Sequence, residues 1–276
     1  MDLELQDVHV LVTGASGGIG LETARVFLQQ GAKVTAHYNT NATTLNNLLA
    51  EFGSDRVFAA QGNLSAETDV ARVFEEAQRA LLAPVQIVII NHGVWPAADA
   101  PVARMSLAQW QSTIDTNLTA SFLVAREYLR QLERTDEALR EQASILFVGS
   151  TAGKYGEAGH ADYAASKSAL MYGLTPSLKN EIVKIAPRGR VNCVAPGWVR
   201  TPMAEEALKD PTVVYRALAS TPLKKVASPL DIAMQIVVLS STSLSGHVTG
   251  QCLMVEGGME GRLLNRLSSD GALESY

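Results

Sequence analysis

The chain is poor in cysteine, has no block of positive charge and contains no long apolar run. Its two cysteines, Cys193 and Cys252, fall inside apolar stretches. So few thiols exclude a disulfide framework of the kind that staples small secreted domains, and reduced, buried thiols are expected. Lys and Arg total 23 against 28 Asp and Glu, a net charge of -5. Without a basic cluster, neither nucleic acid nor an anionic membrane surface is expected as a partner. No stretch reaches the roughly 20 apolar residues that a membrane helix needs. The start, Met1-Asp2-Leu3-Glu4-Leu5-Gln6-Asp7, is acidic where a secretory signal is basic and then apolar. A cytoplasmic location is the expectation. Repeats, low-complexity tracts and linkers are missing as well. The five histidines are scattered, none paired with a cysteine or carboxylate at helical spacing, so no metal site is expected.

What is there is alternation. Val8 to Val12 is a short apolar run that leads into a glycine turn, as a strand buried on both faces does. A helix is expected over 18–30, with Ile19, Thr23, Val26 and Phe27 on one face and Gly31 as its stop. Further strands are expected at Lys33 to His37, Arg56 to Ala60, Gln86 to Ile90, Ile145 to Val148, Arg190 to Ala195 and Gln251 to Val255. Helices are expected at Ala66 to Leu82, Leu107 to Glu133 (one or two), 161–185 and Pro229 to Ser240, with Pro176 kinking the third of these. This βαβα order implies an α/β fold in one domain, a doubly wound parallel sheet with helices on both faces, its core at about 8–258. Trp198 to Pro222 reads as a long insertion of the kind that often forms a lid. The tail, 259–276, ends in polar residues.

The first strand runs into Thr13-Gly14-Ala15-Ser16-Gly17-Gly18-Ile19-Gly20. Glycines between a strand and a helix let the backbone approach a pyrophosphate, which the free N–H groups of the helix start then receive. Strand before and helix after make this more than a lone glycine pattern; the alternative is a tight structural turn. An acidic residue at the end of the second strand would hold the ribose 2′-hydroxyl of NAD. That position is Tyr38. The arginine or lysine that would attract a 2′-phosphate is missing too, with Gly17 and Asn39 in the relevant places. The polar cluster of Ser16, Asn39, Thr40 and Asn41 favours NADP(H) by hydrogen bonding. The alternative is that Tyr38 stacks near adenine and NAD(H) also serves.

A polar trio follows in the order Ser150, Tyr163, Lys167. Tyr163 and Lys167 are four apart on an expected helix and share a face. A free tyrosine has a pKa of about 10, and a neighbouring ammonium favours its phenolate. Tyr163 could then act as general acid in reduction and general base in oxidation. Ser150, at the carboxyl end of a central strand, could hold a substrate oxygen against it; taken alone, it could equally cap a helix.

With Asn91-His92-Gly93, Asn117, Pro196-Gly197, Val248-Thr249-Gly250-Gln251 and Glu256-Gly257-Gly258 added, the chain resembles the short-chain dehydrogenase/reductase family from Val8 to Gly258. The resemblance implies a Rossmann-like domain, a homotetramer or homodimer, and a catalytic set of Asn117, Ser150, Tyr163 and Lys167. Lys167 would bind the nicotinamide ribose, and Asn117 would anchor a water linking Lys167 to solvent, or bridge two helices, or both. The cofactor would lie on Gly14, Ser16, Gly18, Ile19 and Gly20, then on Tyr38, Asn39 and Thr40. It would continue along Asn63, Leu64, Asn91 and Gly93, reach Tyr163 and Lys167, and end on Pro196, Gly197, Val199 and Thr201. Three departures stand out. His92 replaces a small residue and either stacks on adenine or ribose or fills space. Asn63 stands where an aspartate is common, with a carbonyl oxygen that still accepts from the adenine amino group. Pro176 interrupts the catalytic helix.

The substrate is expected to meet Trp95, Ser150, Tyr155, His160, Trp198 and Met203, although each aromatic or apolar one among them could equally be a core or interface side chain. Such walls favour an apolar or aromatic ketone over a small polar sugar. The leading function is an NADPH-dependent ketoreductase acting on a small molecule. The alternatives are an NAD-linked alcohol dehydrogenase working in the oxidative direction and a cofactor-binding sensor or scaffold without turnover.

Overall fold

In the computed structural model, which describes residues 2–260, seven short runs pair as one parallel sheet. They are β1 (His9–Val12), β2 (Lys33–Tyr38), β3 (Val57–Gln61), β4 (Ile87–Ile90), β5 (Ser144–Val148), β6 (Arg190–Pro196) and β7 (Cys252–Val255). Their spatial order is β3-β2-β1-β4-β5-β6-β7. Side chains alternate between two cores. Val10 and Val12 of β1 join Val34, Ile87 and Ile89 on one face, while Leu11 joins Val88, Ile90 and Phe147 on the other. Burial on both faces is why these strands read as continuous apolar runs.

The helices follow in chain order as α1 (Gly18–Gln29), α2 (Asn46–Phe52), α3 (Glu67–Leu81), α4 (Leu107–Ile114), α5 (Ala120–Leu132) and α6 (Thr151–Tyr155). After them come α7 (Ala161–Ser168), α8 (Thr175–Ile182), α9 (Pro211–Ala219), α10 (Pro229–Ser240) and α11 (Thr242–Ser245). Phe27 of α1 and Ile232 and Ile236 of α10 pack into the first core. Phe74 of α3, Tyr128 of α5 and Ile182 of α8 pack into the second. The result is the expected single Rossmann-like domain with helices on both faces. Arg190, buried at the start of β6, donates to the carbonyls of Leu239 and Ser240 and so caps the end of α10. Burial lowers its pKa to about 10, which still leaves it charged.

Four local differences from the sequence reading have physical causes. The short α2 has one fully buried side chain, Leu48, too little periodicity to announce a helix. The 107–132 segment is helical throughout, with a widened turn at Asp115–Thr119 between α4 and α5. In the catalytic helix a second widened turn, Ala169–Leu174, precedes Pro176. Pro176 therefore lies in the first turn of α8, where a missing N–H is tolerated, and the Thr175 hydroxyl donates to the Leu170 carbonyl at 2.8 Å. The expected insertion carries α9, started by Asp210, whose carboxylate accepts from the Thr212 amide at 2.8 Å, and by Pro211. The tail from Arg262 to Tyr276 lies outside the described residues. No helix among the described residues is long and apolar enough to cross a membrane.

Candidate active site

Strand order reverses between β1 and β4, and a crevice opens at the carboxyl ends of the strands at such a switch point. A cavity of about 560 Å³ lies there. Its floor is made by the residues that follow β1, β4, β5 and β6. Gly14 has φ +62°, and a Cβ placed on Gly20 would stand 2.3 Å from the Gly14 carbonyl oxygen. Only glycine permits this close turn. Gly17, the residue before α1, offers no side-chain cap. The first-turn amides of α1 remain available to an anion, as a bound pyrophosphate requires.

The turn is pinned from two sides. His37, near the end of β2, accepts at Nδ1 from the Gly14 amide (3.1 Å), and its Nε2 meets the Gly62 carbonyl at 3.0 Å. Accepting at one nitrogen and donating at the other defines a neutral ring, and burial pushes its pKa down. Thr13 Oγ1 donates to the Ile89 carbonyl (3.1 Å) and accepts from the Asn91 amide (2.9 Å). The Asn91 side-chain amide donates to the carbonyls of Thr13 and Gly14. With the Thr13 proton committed, His92 Nδ1, at 2.9 Å, is the donor to Thr13 Oγ1. Burial lowers the His92 pKa to about 3. His92 ties β4 to β1 and lines the cavity.

Lys167 is buried and donates from Nζ to the Val148 carbonyl at 2.9 Å, at the end of β5. Its Nζ stands 5.7 Å from the centre of the Tyr163 ring. Desolvation lowers its pKa to about 8. Desolvation pushes Tyr163 up to about 12, with its hydrogen bond to Ser150 pulling the other way and the charge of Glu157 adding to the rise. In this environment burial, more than the neighbouring ammonium, sets the direction of the Tyr163 shift. Ser150 caps α6, its hydroxyl accepting from the Ala152 amide (3.1 Å), and it lines the cavity.

Asn117 lies buried in the widened turn before α5. Its Oδ1 accepts from the Val94 amide (2.7 Å), and its Nδ2 donates to the Val94 carbonyl (2.9 Å) and to Ser166 Oγ (3.2 Å). A Cβ on Gly93 would come within 3.1 Å of Asn117 Oδ1 and 3.4 Å of Lys167 Nζ. Of the readings open for Asn117, the side chain takes up the bridging one, joining the segment after β4 to α7.

Among the expected cofactor residues, Ser16, Gly18 and Ile19 line the cavity at the glycine turn, and Asn39, Asn63 and Leu64 line it beyond β2 and β3. Pro196, Gly197, Val199 and Thr201 line it after β6. Tyr38 and Thr40 do not; Tyr38 packs against the first core and Thr40 is exposed. Gly20 and Asn117 act from behind the wall. Asn63 Oδ1 already accepts from the Ser65 amide at 3.1 Å.

The mouth is aromatic. Trp95 meets Trp198 edge-on, with ring centres 6.4 Å apart. Tyr155 and Met203 line the cavity beside them, the Tyr155 hydroxyl donating to the Met259 carbonyl at 2.8 Å. His160 does not line it. Its ring is 2% exposed, stacked behind Trp95 at 4.5 Å, with Nε2 donating to Asp99 Oδ1 at 2.9 Å. The direct substrate contact expected of His160 is thus replaced by support of Trp95.

Two residues escaped the sequence reading. Asp162 is buried and accepts from Thr113 (2.7 Å) and Gln109 (3.2 Å) of α4 and from the Tyr163 amide (2.9 Å). It locks the start of α7 beside the reacting tyrosine, and its adjacency to Tyr163 was the available signal. Glu157 lines the cavity and accepts from the Trp95 indole at 3.4 Å. Nothing in the sequence marked it beyond its place six residues before Tyr163.

Comparison with known proteins agrees with this geometry. The family profile described as short chain dehydrogenase matches residues 8–212. Nodulation protein G of Rhizobium sp. (strain N33) is 37% identical over 257 residues, covering 93% of this chain and 98% of the relative. A 3-oxoacyl-acyl-carrier-protein reductase of Vibrio cholerae serotype O1 is 33% identical over 260 residues, covering 93% of this chain and 99% of the relative. Among solved structures, a short-chain dehydrogenase/reductase of Brucella melitensis described as glucose/ribitol dehydrogenase superposes with a TM-score of 0.82 at 31% identity. That match covers 95% of this chain and all of the other.

Proposed function

The chain belongs to the short-chain dehydrogenase family, whose members are oxidoreductases of CH–OH and C=O groups, and we propose that it is an NADPH-dependent reductase of ketones carried on apolar or aromatic small molecules. The observation that carries this reading is the assembly of Ser150, Tyr163 and Lys167 in one cavity at the carboxyl ends of the strands, with Lys167 Nζ 5.7 Å from the centre of the Tyr163 ring. A phenol that holds its proton at neutral pH is the form that donates to a carbonyl oxygen. Ser150, on the same cavity wall, would fix that oxygen. The ammonium of Lys167 sits 5.7 Å from the ring and offsets the negative charge left when the proton departs. With a hydride delivered to the carbonyl carbon, the proton from Tyr163 would complete the hydroxyl at the substrate oxygen.

The nicotinamide dinucleotide, held by the uncapped start of α1 and the residues after β4 and β6, would supply the hydride to the carbonyl carbon. Support for the phosphorylated cofactor is the lack of an acid at Tyr38, together with Ser16 and Asn39 on the cavity wall. The relative described as a 3-oxoacyl-acyl-carrier-protein reductase points the same way on direction. The second reading, an alcohol dehydrogenase using NAD, is favoured by the neighbour described as glucose/ribitol dehydrogenase. A sensor without turnover is disfavoured because Asn117, Ser150, Tyr163 and Lys167 are all present and assembled. A homodimer or homotetramer belongs to this reading, and Phe122, Met234 and Leu253 offer exposed apolar side chains for contact. So does a cytoplasmic setting, which would keep the free thiols of Cys193 and Cys252 reduced.

The test is a screen of ketones and of the matching alcohols with all four nicotinamide cofactors, read by absorbance of the reduced ring. Ketone reduction with NADPH above NADH is the expected result. A preference for NADH overturns the cofactor assignment, and oxidation without measurable reduction overturns the direction.

A further inference from the structure

A carboxylate in an apolar mouth needs a partner, and Glu157 has little of one. It is half-buried, and burial pushes its pKa up. Among the described residues the Trp95 indole is its one hydrogen-bond donor, at a long 3.4 Å, and no lysine or arginine pairs with it. The neighbouring charges are His160, which eases ionisation, and Asp99, which opposes it. His160 is itself committed to Asp99 at Nε2. A half-buried carboxylate with one long donor keeps accepting capacity for a further O–H or N–H group.

Its placement is fixed. The Glu157 carbonyl accepts from the His160 amide (3.1 Å), the loop's Gly156 amide donates to the Ala152 carbonyl (2.9 Å), and the Gly159 carbonyl accepts from the Ala100 amide (2.9 Å). The carboxylate lines the cavity with Trp95 and Trp198, and its charge is felt by Tyr163 in the same chamber.

We propose that Glu157, with Trp95 and Trp198, forms a substrate subsite that accepts a hydrogen bond from an O–H or N–H donor on the same molecule whose carbonyl meets Ser150 and Tyr163. The preferred substrate is then a ketone with an apolar or aromatic body and one hydroxyl or ammonium group, not a purely apolar one. A carboxylate beside the Trp95 N–H, with Trp198 on the same cavity wall, suits either group, by hydrogen bonding to a hydroxyl or by charge with an ammonium. The proposal rests on the reductase reading for its reacting carbonyl, and its test separates the two.

The experiment uses three ketones of equal size that end in methyl, hydroxyl or ammonium, with the wild type, Glu157→Leu and Glu157→Gln. In Glu157→Leu the kcat/KM ratio of each donor-bearing ketone to the methyl ketone should fall roughly tenfold to a hundredfold, mainly through KM. Glu157→Gln, which keeps an acceptor and loses the charge, should restore the hydroxyl ratio and leave the ammonium ratio low if the charge matters; recovery of both marks a neutral hydrogen bond. A loss that is the same for all three ketones, or no loss, overturns the subsite. The same compounds are titrated against tryptophan fluorescence, since two of the three tryptophans, Trp95 and Trp198, line the cavity. Selective weakening of donor-bearing ligands there, without reduction of any ketone, upholds the subsite and overturns the reductase reading instead.

Discussion

The floor of the cavity and its mouth are built in different ways. On the floor, Asn91 and Lys167 donate to main-chain carbonyls at strand ends, and the Gly14 amide donates to the His37 ring. At the mouth, Trp95 and Trp198 are held by ring contacts, and Met203 is 54% exposed. The floor determines which bond changes, and main-chain geometry leaves little freedom there. The mouth selects what is brought to it, through side chains on the loops after β4, β5 and β6. Reaction and selectivity should therefore separate under mutation, floor changes acting on kcat and mouth changes on the ratio between substrates.

The largest effect is expected on the floor. Tyr163→Phe should lower kcat by about 10²- to 10⁴-fold, the usual contribution of a general acid. Cofactor affinity, followed by fluorescence of the reduced nicotinamide, should change little, because the phenol lies at the reacting end. A Tyr163→Phe enzyme with wild-type kcat on its best ketone ends the general-acid assignment. Reduction should also decline as pH rises through about 8, as Lys167 loses its proton.

The same division explains what the sequence made legible. Glycines, strand runs and the Ser150-Tyr163-Lys167 trio are visible because regular elements impose spacing on them. Seven strands and the helices carrying the trio were readable on that ground. Glu157 was not, because a loop sets no period, and neither was Asp162 at the start of α7, because their meaning arises only from Trp95 and Thr113, distant in sequence. His160 was misplaced for the same reason: proximity to Tyr163 in the chain put it in the wall, whereas Asp99 draws it behind. The direction of the Tyr163 shift depends on burial, which a spacing of four residues does not reveal.

A second effect should fall on the strands that carry the floor. His9, at the start of β1, is buried, with Nδ1 at 2.8 Å from the Ala83 carbonyl and Nε2 at 2.9 Å from Thr35 Oγ1. Desolvation lowers its pKa to about 4, and it lowers those of His37 and His92 as well. A histidine with a depressed folded pKa binds fewer protons folded than unfolded. Its stabilising contribution is present above the unfolded value near 6.5 and is lost as pH falls towards the folded value. For His9 that amounts to about 3 kcal/mol between pH 6.5 and 4. Melting followed by circular dichroism should show Tm dropping steeply across this window, and His9→Gln should flatten the slope. An equal slope in that variant rules out His9 as a source.

The smallest effect is expected where the two regions meet. Asn117 holds both main-chain groups of Val94, the residue before Trp95, and reaches Ser166 on α7, whose hydroxyl donates to the Tyr163 carbonyl at 2.7 Å. Asn117→Ala leaves the Val94 amide and carbonyl without these partners, at a cost of about 1–3 kcal/mol. If Asn117 couples mouth to floor, the variant should lose hydrogen-exchange protection at Val94, raise KM and lower kcat together, while Asn117→Asp, which still accepts from the Val94 amide, recovers part of the KM. Unchanged protection at Val94 together with a fall in kcat alone would show that Asn117 serves the floor only. The mouth would then depend on Trp95, His160 and Asp99 for its position, and the separation of selectivity from reaction would be complete.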